Sequence, residues 1–234
     1  MTRAAFKGGI HPPGHKGATA SSPITRAPLP ERFYVPMSQH LGAPCAPVVA
    51  AGDRVVRGQV IGHVDAMVSA PVHSPVNGVV AEVGPHLTIA GARTATVVIE
   101  PDAEQDYASF DPVPEGDVRQ TVRAAGIVGL GGAAFPSAVK LSPPKGLVVD
   151  TVILNGCECE SYLTCDHRLM LESPERVVRG ARIIAEALGV KRIVIGVEDN
   201  KPDAVESLRS VAGDDIEVRE FVTRYPQGAE KQLI

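Results

Sequence analysis

The segment Gly126-Ile-Val-Gly-Leu-Gly-Gly-Ala-Ala-Phe-Pro136, with Lys140 just beyond it, places four glycines in seven residues beside an ammonium group. Glycine lets backbone N–H groups close on an anion without interference from Cβ, and the lysine supplies the charge that a phosphate needs. The next segment of chemical interest, Asn155-Gly-Cys-Glu-Cys-Glu160, is acidic. Carboxylates repel phosphate but accept hydrogen bonds from hydroxyls, as on ribityl or ribose groups. A ligand served by both segments carries a phosphate and a polyol, which describes a nucleotide or flavin mononucleotide (FMN).

Each of these residues also has an ordinary reading. Glycines punctuate turns, Phe135 could close the loop as a core residue, Lys140 could be a solvated amine, and Glu158 and Glu160 could be an acidic loop at a strand end. Cys157, Cys159 and Cys165 with His167 could suggest zinc, but C-x-C-x5-C matches neither a zinc ribbon nor the ferredoxin run of thiolates, so free thiols are expected. His11 and His15 flank Pro12-Pro13-Gly14 with no carboxylate or thiol nearby and read as surface histidines. No metal site and no catalytic side chain is expected.

Composition narrows the partners. The chain has 234 residues, a formal net charge of −4 and no tryptophan. Phosphate-backbone binding needs clustered Lys and Arg, and base stacking needs aromatics, so a nucleic-acid partner is not expected. The N-terminus lacks an apolar signal region, and no apolar run approaches a membrane span. This predicts a cytoplasmic protein that meets a membrane only through partners. With no secretion signal, Cys45 and the other three cysteines are expected to be reduced.

The positioning elements follow from pattern. Residues 1–30, rich in Gly, Pro, Ser and Thr, read as an extended arm. Residues 31–100 hold short β-like runs: Asp53–Val56, Gln59–Val64, Val68–Val72, Gly78–Val83 and Thr94–Ile99. Residues 101–116 form an acidic, proline-bearing linker. Residues 117–234 then alternate. A helix from Asp117 to Ala125 stops at Gly126; strands are predicted at Leu147–Leu154, Arg192–Val197 and Ile216–Val222; helices run from Pro174 to Gly189 and from Pro202 to Val211. In such a βαβαβ unit ligands collect at the carboxyl ends of the strands. Asn155–Glu160 and Glu198-Asp-Asn200 fall there.

Two resemblances add to this reading. Gly58–Val80 resembles the barrel-sandwich fold of biotinyl and lipoyl carrier domains, but Asp65-Ala66-Met67 is followed by Val68 where carriers present a modifiable lysine. The carrier fold is expected and the carrier function is not. Gly8-Gly-Ile-His-Pro-Pro13, Ser38-Gln-His-Leu-Gly-Ala-Pro44, the glycine loop, the acidic loop, Asp199-Asn-Lys-Pro202 and Tyr225-Pro-Gln-Gly-Ala-Glu-Lys-Gln-Leu-Ile234 together resemble the RnfC family of Rnf-type ion-translocating ferredoxin:NAD oxidoreductases. More distantly they are similar to the NADH- and FMN-binding subunit of respiratory complex I. The fold class implied is α/β, a barrel-sandwich β domain followed by a Rossmann-like flavin- and NADH-binding domain.

The resemblance to the complex I subunit implies that Gly129, Gly131, Gly132, Phe135 and Lys140 hold the FMN phosphate and ring. It assigns Asn155, Glu158 and Glu160 to flavin and NADH contacts, and its third element falls on Gly228 and Glu230. Leu130 stands in place of an arginine and Ala229 in place of an acidic residue, which implies weaker nucleotide affinity or an altered ligand pose. Against the Rnf pattern, Ser161 replaces proline, and Cys157 and Cys165 replace alanine. The implied protein is a peripheral electron-input subunit at the cytoplasmic face of the cell membrane. It would exchange hydride between NADH and FMN among the other subunits of a membrane-bound electron-transport complex. Rnf proteins of this family are longer, so the chain is expected to lack a C-terminal part carrying two [4Fe-4S] clusters. The alternative is a non-catalytic assembly module with a vestigial flavin site.

Overall fold

The computed structural model describes residues 6–89, 91–108, 110–114, 116–130 and 134–234. It divides into two compact units, Ala27–Lys145 and, separately, the chain up to Arg26 together with Gly146–Ile234.

In the Ala27–Lys145 unit the strands are β1 (Phe33–Pro36), β2 (Ala46–Pro47), β3 (Arg54–Val55), β4 (Val60–His63), β5 (Val72–His73), β6 (Gly78–Leu87) and β7 (Arg93–Pro101). They form two antiparallel sheets, ordered β1-β7-β6-β3 and β2-β4-β5. Val35, Val55, Ile61, Val80, Val97 and Ile99 bury themselves in the shared core, where apolar burial drives the short strands together. Gly62 is required by that packing, since a Cβ there would lie 2.4 Å from Met37 Sδ. The run expected at Val68–Val72 contributes to the ladder only at β5.

Helix α1 (Val118–Ala124) starts where the pattern predicts, with the Asp117 carboxylate accepting from Gln120 N at 2.9 Å. It packs back on the β-sandwich. Arg123 Nη2 donates to Ala66 O (2.5 Å), and His73 Nε2 lies 2.9 Å from Ala124 O. Gly126, at φ +65°, leaves room that a Cβ would take from Pro71 O and the His73 ring. Beyond the glycine loop comes α2 (Ser137–Lys140). Residues 117–145 therefore group by packing with the β-rich unit. We propose a domain boundary at residue 117, where the acidic, proline-bearing linker ends.

The other unit contains β8 (Thr151–Gly156), α3 (Cys165–Glu172), α4 (Pro174–Leu188), β9 (Arg192–Glu198), α5 (Pro202–Ala212), β10 (Ile216–Phe221) and α6 (Glu230–Leu233). The sheet is parallel in the order β10-β9-β8. Ile193, Ile195 and Val197 alternate along β9 and pack with Val178, Ala181, Ala185, Val205 and Leu208 of the helices. Pro174 opens α4 and Gly189, at φ +68°, closes it. The other face of β9 approaches α6 at Gly196, where a Cβ would meet Phe221 at 2.9 Å and Leu233 at 3.0 Å. The chain is thus an α/β protein with a barrel-sandwich β domain and a Rossmann-like βαβαβ domain.

One strand boundary differs from expectation. Thr151, and not Leu147, begins β8, because its register partner Arg192 is the first residue of β9 and the residues before Thr151 have no ladder to join. Leu147 and Val148 are exposed.

Candidate functional site

The glycine loop is closed by a bridge between Val128 and Pro136 and by Gly129 N donating to Phe135 O at 3.0 Å. That N–H is therefore committed inside the loop. The φ of Gly129 is not in the left-handed region, and among the described residues a Cβ there would meet nothing closer than Phe135 O at 3.8 Å. Phe135 is half-buried and Lys140, at the end of α2, is exposed. Gly131 and Gly132 lie outside the described residues.

The acidic and third segments meet at the carboxyl ends of the parallel strands. Asn155 ties them directly. Its amide nitrogen donates to Gly228 O (2.6 Å), and its amide oxygen accepts from Cys157 N (3.1 Å). Gly228 must be glycine for the fold's own sake, since a Cβ would stand 2.3 Å from Cys157 O, and its N–H donates to Cys159 Sγ at 3.3 Å. Sequence reasoning assigned Asn155 and Gly228 to the ligand; the structure also makes them braces between two loops. Glu160 and Glu230 are exposed, Glu230 as the first residue of α6.

Glu158 turns inward instead. Only 5% exposed, it accepts from Asp166 N (2.8 Å) and from Cys165 Sγ (3.4 Å) through Oε1, and so caps the amino end of α3. Its other oxygen, Oε2, has no hydrogen-bond partner among the described residues and lies 3.9 Å from Lys16 Nζ, too long for a hydrogen bond. Burial, and then the charge of Glu158, raises the Asp166 carboxyl above its usual range.

Two buried groups here were not singled out for the site. Glu198, the last residue of β9, and Lys201 form an ion pair of 3.0 Å with side chains 0% and 1% exposed. Glu198 Oε1 and the buried Gln227 Oε1 also lack hydrogen-bond partners among the described residues. Burial, reinforced by the Glu198 charge, pushes the Cys157 thiol up to about 12, so it is a protonated, inert thiol at neutral pH. His167 Nε2 is 2.9 Å from Asp203 Oδ1.

The other missed residue is Lys16, in the N-terminal arm. The arm is held along residues 158–172: Ser161 Oγ donates to Pro13 O (2.9 Å), Tyr162 N to Gly14 O (2.8 Å), and Arg168 Nη1 to Ala20 O (3.2 Å). Its only local signal is a lysine between Gly14 and Gly17 after two prolines.

Comparison with known proteins identifies these parts. Residues 4–104 match the RnfC barrel sandwich hybrid domain and residues 122–234 the Nuo51 FMN-binding domain. The chain is 47% identical to the C subunit of the Na(+)-translocating ferredoxin:NAD(+) oxidoreductase complex of Acetobacterium woodii, over 100% of this chain and 55% of that one. It is 42% identical to the C subunit of the proton-translocating ferredoxin:NAD(+) oxidoreductase complex of Clostridium ljungdahlii, over 98% of this chain and 52% of that one. The chain spans about half the length of these curated relatives. A chain of an NAD+-reducing [NiFe]-hydrogenase, solved in the air-oxidized state, is similar with a TM-score of 0.46 and 24% identity, over 48% of this chain and 22% of that one. With the two domain families matched in order and relatives aligned along its whole length, the chain belongs to the RnfC family.

Proposed function

We propose that this chain is the FMN- and NADH-binding part of a peripheral electron-input subunit in a membrane-bound, ion-translocating oxidoreductase. The observation that carries the reading is that every candidate residue, from Gly129 to Glu230, falls within the stretch 122–234 that matches an FMN-binding family. Gly129 supports it physically, because among the described residues no close neighbour requires glycine there, and a glycine leaves the loop backbone open to a phosphate. In this reading Gly129, Gly131, Gly132 and Lys140 bind the FMN phosphate and Phe135 lies against the ring. Asn155, Glu158, Glu160, Gly228 and Glu230 serve the flavin and NADH.

Bound FMN supplies the chemistry, accepting two electrons as hydride and releasing them one at a time. The chain's side chains need only bind and orient, so no acid or base is assigned. The curated relatives are longer than this chain, and in this reading onward transfer would fall to two [4Fe-4S] clusters of such a longer protein and then to the partner subunits. Among the described residues no helix is long and apolar enough to cross a membrane, which is compatible with peripheral attachment at the cytoplasmic face.

A fluorescence titration tests the binding claim. The chain is expected to quench FMN stoichiometrically and to bind riboflavin, which lacks the phosphate, more weakly. No response to FMN would overturn the reading in favour of an assembly module with a vestigial site.

A further inference from the structure

Lys16 has no place in the ligand site assigned above, yet its ammonium is surrounded by that site's main chain. Nζ donates to the carbonyls of Glu158 (2.9 Å), Glu160 (2.9 Å) and Leu163 (2.6 Å). All three ammonium protons are thereby used, on oxygens drawn from one short loop. The side chain is only 17% exposed and lies 3.9 Å from Glu158 Oε2. Burial, and then the neighbouring charge of Lys201, pulls the Lys16 pKa below the usual lysine value, so the fold holds this cation where burial disfavours it.

The loop has a shape that needs holding. Tyr162 sits at φ +70° and His15, opposite it, at φ +50°, both in the left-handed region that side chains resist. Their rings stack with centroids 4.9 Å apart and planes 14° from parallel. Tyr162 N and Ser161 Oγ donate to the carbonyls of Gly14 and Pro13. Residues 13–16 are therefore a strap moulded to residues 158–163, with the ammonium as its central pin. A planar guanidinium, whose donors fan out in one plane, cannot converge on three carbonyls in the same way.

We propose that Lys16 is a positioning residue of the nucleotide site, holding the loop from Glu158 to Leu163 in the shape that presents the exposed Glu160 to NADH; this rests on the function proposed above. Methionine at the position keeps the length of the side chain and removes every donor. In the ligand-free chain, Lys16→Met is expected to speed hydrogen exchange of the 157–163 amides by about tenfold. In the FMN-loaded chain, with ferricyanide as electron acceptor, it is expected to raise KM for NADH by about tenfold while kcat stays within about twofold. Lys16→Arg should fall between the two, and it supplies both readouts if the methionine variant fails to fold. Faster exchange with an unchanged KM would make Lys16 a structural pin only and overturn the proposal, as would unchanged exchange. An unsubstituted chain that binds FMN but does not oxidise NADH would instead remove the functional reading, a result distinguishable because exchange is read without ligand.

Discussion

Lys201→Met is expected to destabilise the chain by about 3–5 kcal/mol, the usual cost of stranding one member of a buried ion pair. Lys201 and Glu198 are essentially inaccessible, and the ammonium also donates to Asn200 Oδ1 at 2.9 Å. Methionine preserves most of the packing volume, so the loss isolates the charge. Glu198 Oε1 already has no hydrogen-bond partner among the described residues, and removal of Lys201 deprives Oε2 of its ammonium partner as well. Adding Glu198→Gln to the variant should recover much of the loss, because a neutral amide at the strand end costs far less to bury than an uncompensated carboxylate. Denaturant unfolding of the two variants at neutral pH decides it. A single variant within about 1 kcal/mol of the parent, or a double variant no better than the single, would contradict this account of the pair.

The second large effect is on ligand affinity. Lys140→Ala should weaken FMN by about 1.5–3 kcal/mol, the worth of one charge-assisted hydrogen bond, or roughly ten- to a hundredfold. Riboflavin, which lacks the phosphate that the ammonium would serve, should be weakened far less. Gly129→Ala is the companion variant: among the described residues the atom nearest its Cβ position is Phe135 O at 3.8 Å, so the fold should persist while phosphate-dependent affinity falls. Equal losses for FMN and riboflavin in either variant would move the phosphate away from this loop.

The parallel sheet was legible because its strands are apolar, β-branched runs and its main helix is bracketed by Pro174 and Gly189. The placement of Asn155 and Glu198 at strand ends followed from that pattern alone. Other features leave no local trace. Helix α3 has no side-chain cap of its own at Thr164, and its amino end is served by Glu158. The segment therefore reads as a cluster of thiols and an imidazole. Strand β1 ends in Pro36 and gains its ladder only from β7, far along the chain. Lys16 contacts carbonyls 142 to 147 residues away, beyond the reach of any periodicity argument. The acidic loop's composition pointed to ligand hydroxyls, whereas half of the Glu158 carboxylate is already spent on α3.

Anaerobic mixing of the FMN-loaded chain with NADH tests the central claim most directly. If Glu158, Glu160 and Glu230 bring NADH to a flavin held by the glycine loop and Lys140, the flavin absorbance band should bleach in proportion to bound FMN, because hydride transfer requires only the two oriented rings. The bleached state should persist until an electron acceptor is added. Bound FMN whose absorbance does not change with NADH would contradict the account.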